Sequence, residues 1–262
     1  MIVACETEKI LETFFKKLKK ARQRILFLDY DGTLAPFRTE RDKAVPYPGV
    51  TERLEQIIAS GKTRLIIISG RWSKDLKPLL KLKKYPEIWG CHGAERLYPD
   101  NNYELVALEE KIIKGLVDAD EWARSEGLDR YYEKKPTSLA FHWRGQDKTV
   151  IENIREKVLN HWRQTAKNSG LVLHEFDGGI ELRARGIDKG EAVKTILDEV
   201  GPKAVLAYLG DDITDEDAFA ALAERGLRVL VRSEQRATKA DIRLEPPEEL
   251  LQFLDDWLKA SK

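Results

Sequence analysis

The sequence predicts an α/β protein: a parallel-sheet core with helices on both faces, interrupted by an inserted α+β segment. Three observations carry this reading. Short apolar, β-branched runs alternate with amphipathic helical stretches along much of the chain. The run LIII at 65–68 has no in–out alternation, as expected for a strand buried on both faces. From about Leu108 to Leu182 the pattern changes to a doubled helix–strand–strand unit, whose hairpin-connected strands must be antiparallel.

The elements follow in order. The opening stretch MIVACETEKILETFFKKLKK reads as an amphipathic helix, because Glu6, Glu8 and Lys9 break any apolar signal-peptide core. Residues 25–28 (ILFL) form the first strand, and the loop DYDGTLAP follows. Residues 50–60 place Val50, Leu54, Ile57 and Ile58 on one helical face, and Gly61 is positioned as a C-cap. A strand at 65–68, a helix from Ser73, a strand at 88–90 and a hairpin through PDNN at 99–102 come next. The insert comprises a helix over 109–126, strands at 131–133 and 138–143, a helix over 149–168, and strands at 171–176 and 180–183. The βα alternation then resumes with a helix from Lys189, a strand at 204–209 and a helix from Asp215. A strand at 227–231 and a last helix over 247–259 complete it. This is a Rossmann-like core built from residues 1–107 and 184–262, with a cap domain at 108–183.

Composition limits the function classes. The 262 residues are 42% hydrophobic, enough for a substantial core. Forty-five Lys and Arg balance forty-five Asp and Glu, so no net field draws nucleic acid or an anionic membrane. The two cysteines, Cys5 and Cys91, are far apart, which gives no disulfide framework or zinc spacing. No apolar run approaches the roughly 20 residues that cross a bilayer. The expectation is a soluble, cytoplasmic protein that binds neither nucleic acid nor membrane.

Four clusters carry chemistry. Asp29-Tyr30-Asp31-Gly32-Thr33 directly follows a buried strand, where open α/β sheets place their ligands. Two carboxylates one residue apart can divide a phosphate reaction between nucleophile and proton carrier, and their mutual repulsion calls for a hard divalent cation such as Mg²⁺. The ordinary alternative is an Asp-Gly turn. Ser69-Gly70-Arg71 ends the 65–68 strand, where backbone N–H groups can approach an anion; a plain strand-to-helix turn competes. Lys189, between Asp188 and Gly190, opens a helix whose dipole prefers anions there, which makes it a candidate phosphate and nucleophile clamp. A solvated surface lysine is the alternative.

The fourth cluster is Gly210-Asp211-Asp212-Ile213-Thr214-Asp215-Glu216-Asp217. Thr214 with Asp217 resembles a capping box, but that does not account for Asp211 and Asp212. A metal does: Asp211 supplies an oxygen ligand, while Asp212 and Asp215 orient bound water or Lys189.

In this order the clusters resemble the haloacid dehalogenase superfamily of phosphohydrolases. The match is DYDGT at 29–33, SG at 69–70, Lys189 and GDD at 210–212. The resemblance implies that Asp29 forms a phospho-aspartyl intermediate and that Asp31 is the general acid/base. It also implies that Ser69, Gly70 and Lys189 hold the phosphoryl group. Mg²⁺ would then be bound by Asp29, the Asp31 backbone carbonyl and Asp211, with Asp212, Asp215 and Arg71 in support.

Further motifs narrow the match. LDYDGTLAP, ISGR, GxHGAE at 90–95, ExKxxxxxxHxR at 133–144, DKG and GDDxTDEDAF at 210–219 are together similar to trehalose-6-phosphate phosphatases, over residues 24–232. By position, that family's sugar contacts would fall on Glu133, Lys135, Arg144 and Glu181 of the cap. Cys91 stands where the family usually has Ser. Without the resemblance, Glu133 and Lys135 on one strand and His142 and Arg144 on the next read as a solvated polar sheet face with cross-strand ion pairs. His92 and His142 have no metal-ligand spacing and read as structural.

The implied activity is Mg²⁺-dependent hydrolysis of trehalose 6-phosphate, the last step of trehalose biosynthesis, by a phosphoric monoester hydrolase. The partner is a small-molecule sugar phosphate. A monomer fits, as does functional coupling to a trehalose-phosphate synthase. Alternatives are a related phosphatase acting on sucrose 6-phosphate or a glycosyl phosphoglycerate, a mutase, and a non-catalytic sugar-phosphate sensor.

Overall fold

The computed structural model describes residues 2–38, 40–143, 146–176 and 178–262. It divides into two compact units, Met1–Glu104 with Asp188–Lys262, and Leu105–Ile187. The first unit is built on an eight-stranded sheet.

Its elements in chain order are helix α1 (Ile2–Lys20), strand β1 (Arg24–Leu28), helix α2 (Val50–Ser60), strand β2 (Arg64–Ile68), helix α3 (Ser73–Leu80) and strands β3 (Glu87–Gly90), β4 (Glu95–Leu97) and β5 (Tyr103–Leu105). The second unit contributes helix α4 (Glu110–Ser125), strands β6 (Tyr132–Lys135) and β7 (Ser138–His142), helix α5 (Lys148–Ser169), and strands β8 (Leu171–Phe176) and β9 (Gly179–Ala184). The first unit then resumes with helix α6 (Lys189–Glu199), strand β10 (Val205–Gly210), helix α7 (Asp215–Leu222), strands β11 (Gly226–Val231) and β12 (Ile242–Leu244), and helix α8 (Glu248–Ala260).

The large sheet runs β12-β11-β10-β1-β2-β3-β4-β5. Neighbours from β12 to β3 are parallel, and β4 turns antiparallel to β3. The central strand explains the unbroken apolar run. Leu26 and Leu28 join the core that includes Leu18 of α1, Leu54 of α2 and Leu254 and Trp257 of α8. Ile25 and Phe27 join the opposite core with Val193 and Ile196 of α6 and Phe219 of α7. Successive side chains point to opposite faces, and both faces are covered, so every position is apolar.

Local signals behave as expected in several places. Gly61 ends α2 at φ 62° and donates its N–H to the Ile58 carbonyl at 3.2 Å. The PDNN turn closes with Asn101 at φ 68° and a Tyr98 N–H bond to the Asn102 carbonyl at 2.9 Å. One expectation fails. Thr214 is the N-terminal flank of α7, but it has helical dihedrals (φ −65°, ψ −19°) and makes no side-chain cap bond, so no capping box forms. One element, β12, is absent from the sequence reading; three residues with Arg243 at the centre are too short to show a period.

The second unit has a sheet ordered β6-β7-β9-β8, with every neighbouring pair antiparallel. Leu139, Phe141, Ile180 and Leu182 alternate along it with Ser138, Ala140 and Glu181, which gives one apolar and one polar face. Phe141 packs against Trp162 of α5, with ring centroids 5.0 Å apart.

Leu26 is fully buried in the first unit. Leu26→Ala should cost about 2–5 kcal/mol through lost transfer energy and a residual cavity. Urea unfolding should show a lowered midpoint at constant slope, and an unchanged midpoint would contradict this packing.

Candidate active site

Of the residues singled out by sequence, Asp29, Ser69 and Asp211 follow the carboxyl ends of three adjacent strands. β1 lies between β10 and β2, with Leu28 opposite Leu209 on one side and Ile67 on the other. The next residues along these strands lead to Asp29, to Gly210 and Asp211, and to Ser69. Asp29 extends the ladder by donating its N–H to the Leu209 carbonyl at 2.9 Å. This is where strand order reverses in a doubly wound sheet, the place where such folds bind ligands.

Lys189 is the first residue of α6, yet it is 3% exposed and not a surface lysine. Its Nζ donates to Asp29 Oδ1 at 2.6 Å and to Asp215 Oδ1 at 2.7 Å. The anions that a helix N-terminus favours are therefore supplied by other segments of the chain. Close backbone packing makes this possible: a Cβ at Gly190 would stand 2.7 Å from the Asp217 carbonyl oxygen, so only glycine lets α6 and α7 approach there.

Asp215 is saturated. Oδ1 accepts from Lys189 and from the Tyr208 hydroxyl (2.7 Å), and Oδ2 accepts the N–H groups of Asp211 and Asp212, each at 3.0 Å. Asp215, not Asp212, is thus the residue that holds Lys189. Tyr208 went unrecognised because a tyrosine in an apolar strand reads as core.

Asp29, Asp211 and Asp215 offer oxygens that all lie within 4.8 Å of one another. Asp215 is committed to its four donors, whereas buried Asp211 Oδ1 has no hydrogen-bond partner. Asp29 Oδ2 has only a long 3.4 Å bond from the Thr33 hydroxyl. A Cβ at Gly32 (φ +85°) would stand 2.1 Å from Asp211 Oδ2, so the 29–33 loop lies directly against this acid. Fully ionised, the three buried carboxylates and one ammonium would leave two negative charges, and the donors are all hard oxygens. That set fits a divalent cation at Asp29 and Asp211.

The electrostatics agree. Burial pushes the Asp29 carboxyl up; Lys189 pulls it down and Asp215 raises it again, leaving it at about 7 against an ordinary 3.8. Burial, followed by the charges of Asp29 and Asp215, pushes Asp211 well above its ordinary value. Lys189 is driven down by burial but raised further by Asp215 and Asp29, so it stays an ammonium.

Asp31 takes a different partner. Arg71 grips its carboxylate bidentately, with Nε to Oδ2 at 2.7 Å and Nη2 to Oδ1 at 2.6 Å. Arg71 also donates to the Arg41 carbonyl at 2.8 Å and lies over the Tyr30 ring. Ser69 is fully buried, and its Oγ accepts the Arg71 N–H at 3.1 Å. The loop is fixed from behind, because His92 N–H donates to the Ser69 carbonyl (2.9 Å) and Cys91 N–H to the Arg71 carbonyl (2.8 Å). The His92 ring is 2.6 Å from where a Cβ on Gly70 would stand, so any side chain there would push the imidazole aside.

In the second unit, Glu133 and Glu181 flank Ala140 across three strands and share the polar face with Lys135. Lys135 and the Ser138 hydroxyl both donate to Glu181 Oε1, at 2.9 and 2.7 Å, and all three residues are buried. His142 contacts Glu133 at 3.3 Å. Of the cross-strand contacts read from sequence, Glu133 meets His142, whereas Lys135 pairs with Glu181 and is buried, not solvated. Arg144 lies outside the described residues.

The fold and the site together define the haloacid dehalogenase class. The sequence model of the trehalose-phosphatase family matches residues 27–248, and the chain belongs to that family. It is 32% identical over 254 residues to an uncharacterized glycosyl hydrolase of Mycobacterium tuberculosis, covering 91% of this chain but only 18% of that protein. It is 29% identical over 223 residues to the trehalose-6-phosphate phosphatase of Escherichia coli K12, covering 83% of this chain and 80% of that protein. Among solved structures, the C-terminal domain of C. albicans trehalose-6-phosphate phosphatase superposes with a TM-score of 0.77 at 22% identity, over 96% of each chain; this likeness speaks to fold.

Without a cation, Asp29 holds its proton in the folded state up to about 7, so its contribution to stability fades as pH rises from 3.8 toward that value. Divalent-cation binding at pH 6 should therefore release protons, and affinity should rise with pH up to the Asp29 titration near 7. Calorimetry in buffers of different ionisation enthalpy counts the protons, and a zero count at pH 6 would refute the raised carboxyls.

Proposed function

We propose that this chain hydrolyses trehalose 6-phosphate to trehalose and phosphate with Mg²⁺, using Asp29 as a covalent nucleophile. The observation that carries this is the buried Asp29 carboxylate, held 2.6 Å from Lys189 Nζ with Asp211 beside it. Family membership supports the sugar, and the oxygen-only donor set supports Mg²⁺. Asp29, Asp211 and the Asp31 backbone carbonyl would hold the ion, which supplies charge neutralisation at the phosphoryl oxygens.

The residues divide the work. Asp29 attacks phosphorus in line as the bond to the sugar oxygen breaks. Asp31 gives that oxygen a proton, then takes one from the water that cleaves the aspartyl phosphate, which restores Asp29 and frees phosphate. Arg71 holds both oxygens of the Asp31 carboxylate, and one of these bonds must open before Asp31 carries the proton. Lys189, Ser69 and Gly70 bind the equatorial oxygens; a buried ammonium is worth more here than in water. Asp215 keeps Lys189 in place.

The second unit supplies sugar recognition in this proposal. Glu133, Lys135 and Glu181 are the donor and acceptor types that hydroxyls need, and Arg144 joins them by its position in the family motif. The physiological setting we propose is the final step of trehalose formation.

Asp29→Asn should lower phosphate release by roughly 10³-fold or more, the scale of losing a nucleophile. Circular dichroism should report an unchanged fold, and retained turnover in a clean preparation ends this mechanism. Glu181→Gln should raise KM for trehalose 6-phosphate roughly 10-fold, as for a lost hydrogen bond to a charged group, with little change for p-nitrophenyl phosphate. Assays beside glucose 6-phosphate and sucrose 6-phosphate test the choice of sugar; a clear preference for either would overturn it.

A further inference from the structure

The loop that carries Asp211 is restrained on two sides. Asp215 takes the N–H groups of Asp211 and Asp212, as described above. On the carbonyl side stands Arg236, a residue in none of the four chemical clusters. Its Nε donates to the Asp211 carbonyl at 3.3 Å and its Nη2 to the Asp212 carbonyl at 2.9 Å. One edge of the guanidinium therefore spans two consecutive peptide carbonyls.

The other edge is anchored. Nη1 donates to Glu216 Oε1 at 2.5 Å and to the Ala237 carbonyl at 2.9 Å. Glu216 is itself fixed, accepting the Thr238 hydroxyl at 2.7 Å and the Lys239 N–H at 2.8 Å. Arg236 and Glu216 have side chains that are each only 18% exposed. This is a built clamp, not a solvated surface pair.

Two turn bonds also tie the loop, the Asp215 N–H to the Asp212 carbonyl at 3.0 Å and the Glu216 N–H to the Ile213 carbonyl at 3.1 Å, but neither reaches the Asp211 carbonyl. Residues 211–214 lie beyond the end of β10, and Thr214 gives no side-chain cap to α7. Asp211 Oδ1 is buried without a hydrogen-bond partner, so no bond to that oxygen aims the carboxylate that would take a cation. Outer groups that fix a ligand's orientation commonly set metal affinity by 10–100-fold.

We infer that Arg236 is a positioning residue for cation binding, clamping the Asp211 and Asp212 carbonyls so that the Asp211 carboxylate faces Asp29, which rests on the Mg²⁺-dependent function proposed above. The planar fork is essential. A lysine ammonium at this position keeps the charge but cannot span two carbonyls and Glu216 in one plane.

The test is Mg²⁺ binding, with no substrate present. MgCl₂ is titrated into metal-free wild type, Arg236→Gln and Arg236→Lys, by calorimetry and by the Mg²⁺-dependent rise in Tm. Arg236→Gln should bind Mg²⁺ about 10-fold more weakly or worse, and Arg236→Lys should recover little of the loss. If the Gln variant does not fold, the Lys variant carries the test. A lowered metal-free Tm with an unchanged Mg²⁺ Kd is what a purely structural tie predicts, and it would overturn the inference alone. Wild-type protein that binds no Mg²⁺ would overturn the proposed function and this inference together.

Discussion

A lysine ammonium buried between two carboxylates imposes the strictest condition on this molecule. Removing such charges from water is costly unless each finds a counter-charge and hydrogen bonds at good geometry. Lys189 meets Asp29 and Asp215 across 160 and 26 residues of sequence, so the site forms only once the sheet has brought three strand ends and two helices together. The double apolar layer around β1 is the scaffold for that meeting. Gly32 and Gly190 are where backbone must pass closer than any side chain would allow.

The same arrangement divides the acids into different kinds. Asp215, with four donors on two oxygens, is fixed and stays in place as an anchor. Asp29 and Asp211 retain unsatisfied acceptor capacity at high electrostatic cost, and their raised titration records that cost. A carboxylate kept short of partners in a dry site is primed for a cation or an electrophile. Asp31, paired with Arg71 and partly open to solvent, sits outside this conflict and has the access that moving protons requires.

Much of the fold was legible because its signals are local. Apolar periodicity separates α2 from β2, Gly61 and the PDNN turn mark their own boundaries, and the doubled helix–strand–strand pattern shows where the second sheet begins. Of the site, residues 29, 31, 69 and 211 stand out because a charged or small residue after a strand is conspicuous against an apolar run, and Lys189 because a cation opens a helix. Less was visible where the partner is distant. Tyr208 looks like core, Thr214 looks like a cap, and Arg236 looks like one more surface cation among forty-five basic residues.

What the sequence by itself determined was the type and order of elements and the inventory of chemical groups at their ends, since hydrophobic period and turn chemistry act over a few residues. Only the tertiary structure decided the pairing of those groups: Asp215 over Asp212 for Lys189, Arg71 for Asp31, Glu181 for Lys135, Arg236 for the carbonyls of the acid loop. Hydrogen bonds and ion pairs fall off within a few ångströms. Which acid meets which base is therefore settled by the register of strands and the close approach of helices, and neither is written at any single position in the chain.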